Sequence, residues 1–269
     1  MISGKHNKRR IWILVKAFPQ PSQAHEETVC CAGVTEDTND LLRLFPIRFR
    51  RLDKSDQFKR FDLVEMTITK APGDPRPESY RVDEGSIQIV QNGKQLKPED
   101  KVRLWANHIA PSLHDLWDQN KTEHRSLGII KPDPGSLRFK IQEASKSDQE
   151  DQQVASMVFQ QVSLLEGLLK PIEQPKYSFR YQYTCDGHKH KHQIHDWEVQ
   201  AAFINYKRLY KTEDKALEMI ENEYQNNIPN QNLHFIMGTM KAHPQTFIVI
   251  GLLRSTVSPV EAMSQKAIF

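Results

Sequence analysis

Hydrophobic positions along the chain follow one period up to Val90 and another after Lys97. In the first regime Ile11–Val15 is a short apolar run of the kind a buried strand shows, and Glu27–Val34, Leu41–Leu52, Asp62–Thr69 and Ser86–Val90 are further strand-like stretches separated by turn formers. Within Leu41–Leu52, Phe45, Ile47 and Phe49 alternate with Arg48 and Arg50, which predicts an apolar inner face and an outer row of arginines. Such a row is either a platform for backbone phosphates or the solvated side of a half-buried strand. The segments Lys16–Ser22 and Asp74–Tyr80, each stiffened by prolines, read as extended loops, the second carrying Arg76. Short strands at this spacing predict a β-rich lobe, a small barrel or rolled sheet.

After Lys97 the spacing of Val102, Leu104, Trp105 and Ile109 is helical, and Ser112 with Asp115 opens a second helix. Lys131–Gly135 is rich in turn formers and reads as a boundary. It divides the chain into residues 1–135, a β-rich nucleic-acid-binding lobe, and 136–269, an α+β lobe carrying the candidate active site, unless both pack as one compact domain. A strand is expected at Leu137–Ile141. The capping-box pattern Ser147–Glu150 then opens a helix whose stripe of Val154, Met157, Val158, Val162, Leu165 and Leu168 would be the main core helix before Pro171. Helices from Trp197 and from the Thr212 cap, and strands Leu233–Met240 and Thr246–Leu253, complete an α+β protein.

The chain has 269 residues, enough for a sizeable core, and a net charge of only +3, mild basicity that fits a nucleic-acid partner without requiring one. Three cysteines, two of them adjacent at Cys30 and Cys31, do not make a disulfide framework, and no apolar run reaches membrane-span length. A soluble cytoplasmic protein without membrane contact is expected.

The densest chemistry lies between Tyr177 and Glu198. Tyr177, Phe179, Tyr181, Tyr183 and Cys185 alternate with polar residues as on a strand; His188, His190, His192 and His195 follow; and Asp196-Trp197-Glu198 opens a helix. Two readings of Asp196 stand open. It caps the helix, or with Glu198 and oriented by His192 or His195 it stabilises a developing positive charge or activates water. Cys185, His188 and His192 have zinc-like spacing, yet the histidines alternate with lysines and no CxxC is present, so no cofactor is expected unless zinc binds there. Lys241 and His243 form a proline turn at a strand end, a further place for a cation and an imidazole.

Several phrases stand out together: Val15–Ser22, Val29–Val34, Arg43–Phe49, Arg76–Arg81, Gly187-His188 with Ile194–Glu198, and Gly238–Pro244. They resemble, over nearly the whole chain, a family of bacterial proteins encoded among phage-defence genes. The resemblance extends to the antiphage DNA glycosylases termed bacteriophage replication inhibition glycosylases, which act on DNA containing glucosylated hydroxymethylcytosine. It implies an OB-like first lobe, a double-stranded DNA partner, phage DNA with modified bases, and a hydrolase leaving abasic sites. On that footing Lys8, Arg9, Arg10, Arg48, Arg50, Lys54, Arg76 and Lys241 would bind DNA. Tyr181, Tyr183 or Trp197 would stack on the extruded base, and Asp196, Glu198, His192, His195 and His243 would carry catalysis. A metal-dependent nuclease built on Asp196, Glu198 and His192, and a non-catalytic reader of modified nucleic acid, are the alternatives.

Overall fold

The computed structural model describes residues 7–22, 26–143, 176–240 and 243–264. The expected helix over residues 147–171, and Lys241, lie outside them. Strand β1 (Asn7–Lys16) pairs on one edge with β3 (Glu26–Thr35) and on the other with β5 (Leu63–Lys70), while β4 (Leu41–Ile47) pairs with β3 and, in parallel, with β6 (Ser79–Gln91). Because β6 also pairs with β5, the order β1-β5-β6-β4-β3 closes back on β1. The short strand β2 (Gln20–Ser22) lies outside this ring, against β3. This is an OB-type five-stranded barrel with one parallel pair; the strand pattern predicts a small barrel, and the resemblance its OB type. Ile11 and Ile13 of β1 fill the barrel with Leu44, Ile47, Phe58 and Met66, whereas Trp12 and Leu14 pack outward. A strand buried on both faces explains why Ile11–Val15 is continuously apolar rather than alternating.

Strand β4 corrects one expectation. It ends at Ile47, Pro46 having no N–H for the ladder, and Phe49–Arg51 turns into a short 3-10 helix, so Arg48 and Arg50 do not share an outer row with strand spacing. Phe45, expected to face inward, is exposed.

The remainder is built from α1 (Pro98–Ala106), α2 (Leu113–Glu123), β7 (Leu127–Ile130), β8 (Arg138–Glu143), β9 (Tyr177–Cys185), β10 (His188–Gln193), α3 (Trp197–Tyr210), α4 (Glu213–Asn222), β11 (His234–Met240), β12 (His243–Leu253) and α5 (Pro259–Ser264). Ser112 caps α2 by accepting from the Asp115 amide, the arrangement its sequence predicts. The short apolar run Leu127–Ile130 is a strand that pairs with β11, and Gly128 lets Leu116 of α2 lie against it: a Cβ there would stand 2.3 Å from the leucine methyl. Two three-stranded sheets result, β10-β9-β8 and β12-β11-β7.

The barrel and this second part share a core. Trp12, Leu14, Val15, Ala32 and Val34 from the outside of β1 and β3 pack with Leu127, Ile129, Ile236, Ile250 and Leu253. In OB-type barrels the outer face of the second and third strands commonly receives oligonucleotides; here those strands are β3 and β4, whose Ala32, Val34 and Arg43 are buried against the second part.

Arg43 of β4 is buried in that contact, donating to the Ser126 carbonyl at 3.1 Å and to its hydroxyl at 3.0 Å, while the Ser126 amide and hydroxyl both donate to Glu78. Ser126→Ala removes the hydroxyl through which the guanidinium and carboxylate communicate. It is expected to lower the unfolding free energy by about 1–3 kcal/mol in urea titration, because Arg43 and Glu78 keep their bonds to the Ser126 carbonyl and amide but each loses its buried bond to the hydroxyl. A change under about 0.5 kcal/mol would mean that the seam rests on apolar packing alone.

Candidate functional site

The segment Ile194–Asp196 threads between the end of β1 and β12. The Phe18 amide donates to the His195 carbonyl at 2.6 Å, and the His195 amide to the Val249 carbonyl at 2.7 Å. Asp196 thereby arrives at the N-terminus of α3 with its side chain turned inward, 1% exposed. One oxygen accepts from the Glu198 amide at 2.9 Å; the other accepts from Arg60 at 2.7 Å and from the Leu252 amide at 2.8 Å. Its carboxylate is occupied by a helix cap and a buried ion pair, and water or substrate does not reach it. The catalytic assignment of Asp196 is therefore corrected: it fastens barrel, β12 and α3 together.

Glu198, on the next outward position, is 55% exposed, with one oxygen 3.2 Å from Arg60 Nε as an ion contact rather than an aligned hydrogen bond. Trp197 packs edge-on to Phe49 at 5.4 Å. Beside these rings lies the Lys16 ammonium, 4.0 Å from the centre of Phe49 and 5.5 Å from that of Trp197, donating to the Phe58 carbonyl at 2.7 Å. Burial pulls the Lys16 pKa below the usual amine range, against the opposing pull of Cys31 and Glu198. Lys16, Arg60, Trp197 and Glu198 thus form one site at the mouth of the barrel. Neither Lys16 nor Arg60 was singled out from sequence, since nothing local announces that a loop arginine will meet a carboxylate so distant in the chain. Lys16 did carry a signal, as the charged end of an apolar strand just before a proline-rich loop.

The other expected residues fall elsewhere. Tyr181 is fully buried and its hydroxyl donates to the Tyr224 carbonyl, while Tyr183 is buried and shares a 3.0 Å hydrogen bond with His192 Nδ1. Neither can stack on a base. His192 belongs with His188, His190, His114 and Trp117 in a cluster between β10 and α2, the His114 and His188 rings lying 4.4 Å apart, with no contact to Asp196 among the described residues. His195 is half-buried, and burial first, then Arg180, lowers its pKa to about 4, so it is neutral at pH 7. His243 opens β12 opposite Met240, six residues before the Val249 carbonyl that holds the His195 amide.

Cys185 is buried with its sulfur directed at the Lys131 carbonyl. Among the described residues no three His, Cys, Asp or Glu side chains are grouped to hold a metal. Of the cations expected on DNA, Lys8 and Arg10 meet Glu65, Arg9 meets Asp37, Arg48 meets Glu84, and Arg76 grips Asp74 with two nitrogens. Arg50 lies in the Phe49–Arg51 turn and Lys54 is exposed just beyond it. Local carboxylates thus neutralise several of the residues read as a barrel-borne phosphate platform. No helix among the described residues is long and apolar enough to cross a membrane.

Fold and site define an OB-type barrel fused through a shared core to an α+β domain. Residues 7–108 match a domain of unknown function, DUF8758, and residues 109–269, more than half the chain, match a second domain of unknown function, DUF8757, to whose family the chain belongs. No protein of curated function matches it. One solved structure, described as "Molecular basis for abrogation of activation of pro-inflammatory cytokines", aligns with 72% of this chain and 80% of its own, at 10% identity and a TM-score of 0.31. A likeness that slight carries no argument.

Proposed function

We propose that the protein is a DNA glycosylase that excises modified, glucosylated hydroxymethyl cytosine from phage DNA and leaves abasic sites. The observation that supports this reading best is the meeting of Lys16, Trp197 and Glu198 at the mouth of an OB-type barrel. The bond between sugar and base breaks through an oxocarbenium-like state, for which the exposed Glu198 carboxylate is the stabiliser. Trp197 offers an indole edge for an extruded base. Lys16, an ammonium whose proton is held less tightly than usual, is suited to give that proton to the departing base. Arg60 fixes Glu198 from below, and Asp196 fixes Arg60. The modified-cytosine substrate comes from the resemblance to phage-defence proteins.

The test incubates the protein, with and without EDTA, with glucosylated phage DNA and with unmodified DNA, then adds an abasic-site endonuclease. Breaks are expected only after the endonuclease and only in modified DNA. Glu198→Gln should lower that yield about 100- to 10,000-fold while DNA affinity and melting temperature stay unchanged. Direct EDTA-sensitive breaks would establish a nuclease instead, and DNA that is bound but intact would establish a reader.

A further inference from the structure

The sheet β8-β9-β10 has two faces of opposite chemistry. Its inner face carries Phe139, Phe179, Tyr181 and Tyr183 into the core. Its outer face follows from the register: Lys140 stands opposite Arg180, Arg180 opposite Gln193, Arg138 opposite Gln182, Gln182 opposite Lys191, and Thr184 opposite Lys189. Residues opposite one another share a face, so Arg138, Lys140, Arg180, Lys189 and Lys191 project together. The one carboxylate of these strands, Glu143, lies opposite Tyr177 and takes the other parity.

Arg138, Lys140, Lys189 and Lys191 are exposed, and Arg180 is half-buried with its Nε lacking a hydrogen-bond partner among the described residues. No carboxylate of the described residues forms an ion pair with any of the five, in contrast to Lys8, Arg9, Arg10 and Arg48 on the barrel. Like charges directly opposite one another weaken a sheet. Lys140 against Arg180 is such a pair, and alternation alone would have been satisfied by any polar residue.

We propose that this face is the docking surface for the phosphate backbone of duplex DNA. Five cations in cross-strand rows, interleaved with the hydrogen-bonding side chains of Gln182, Thr184 and Gln193, present the groups that hold phosphate oxygens without reading bases. No aromatic ring lies among these outward residues, so the face lacks the stacking platform that single strands use; a paired backbone fits it. The inference deepens the proposal of a DNA-acting enzyme and rests on it for the choice of DNA as the polyanion.

The experiment measures binding of the full chain to a fluorescein-labelled duplex by anisotropy across a potassium chloride series, for the wild type, the Lys140→Ala/Lys191→Ala double variant and a charge-matched Lys121→Ala/Lys215→Ala control. The first variant should bind roughly tenfold or more weakly near physiological salt, and its slope of log K against log salt should flatten by about 1.8, two contacts at about 0.9 each. The control should follow the wild type, and both variants should melt no lower than it does.

A slope for Lys140→Ala/Lys191→Ala equal to that of the wild type overturns the proposal. So does an equal loss in the control, which would show a net-charge effect, or retention of DNA binding while binding to phosphatidylserine vesicles falls. Base excision assayed in parallel separates the two claims. Flattened salt dependence without excision in the wild type removes the glycosylase and keeps the face; excision with an unaltered slope does the reverse.

Discussion

Replacing Asp196 by alanine is expected to lower the unfolding free energy by about 3–5 kcal/mol, the cost of stranding one partner of a buried ion pair. Asp196 is 1% exposed and the Arg60 side chain 13%, so water screens the remaining guanidinium poorly. Loss of the cap on the Glu198 amide adds about 1 kcal/mol. Asparagine would not rescue the site. One of its two positions must be an NH2, and an oxygen left on the Glu198 amide turns that NH2 toward the Leu252 amide and Arg60, both donors.

Urea denaturation followed by circular dichroism should therefore show Asp196→Asn severely destabilised, with Glu198→Gln within about 0.5 kcal/mol of the wild type, as expected for an exposed side chain. An Asp196→Asn protein as stable as the wild type but without turnover would return Asp196 to catalysis. Removing both partners together, Asp196→Leu with Arg60→Met, should cost less than the sum of the single changes, because no orphaned charge remains.

Mild acid should unfold the protein through its histidines. Burial lowers the pKa of His192, His195 and His234 to about 4, with His190 adding to the effect on His192 and Arg180 to that on His195. An unfolded histidine titrates near 6.5. The folded pKa lies below the unfolded one, so the unfolded chain takes up protons first as pH falls. The stability contribution is full above about pH 6.5, is lost between about 6.5 and 4, and changes no further below 4.

Near pH 5 three protons are bound on unfolding, a slope of roughly 4 kcal/mol per pH unit. Urea midpoints at pH 7, 6 and 5 would read this directly. A midpoint that does not move between pH 7 and 5 would show that these rings are hydrated in the folded state.

Much of the architecture is legible in the chain because local periods and caps agree with it. Tyr177–Cys185 alternates as the strand it is, Ser112 caps where it should, and Trp197–Tyr210 is the helix its opening announces. The errors have physical origins. Asp186 and Gly187, both at positive φ, turn β9 back on itself, so the histidine-rich stretch is a second strand with imidazoles inward and lysines outward, a partner that its run of alternating histidines and lysines does not announce. Alternation in Phe45–Phe49 continues in the letters although the ladder stops at Ile47.

The site was half legible. Glu198 and Trp197 are where a helix start brings reactive groups to a surface, but their neighbours Lys16 and Arg60 arrive through barrel closure, a long-range register that no window of sequence contains. Asp196 drew notice for the right residue type and the wrong reason, since a carboxylate that caps a helix and one that works on substrate look alike until burial is known.

The sheet covering the outside of β1 and β3 bears on how this chain can be inherited and produced. A barrel cut free after residue 108 would present Trp12, Leu14, Val15, Ala32 and Val34 to water as one adhesive flank, and its partner would bare Ile236, Ile250 and Leu253. The two matched regions are thus tied in physical terms. A gene that shuffled one of them into a new setting would have to supply a substitute lid or carry an insoluble product, so selection would keep the pair contiguous.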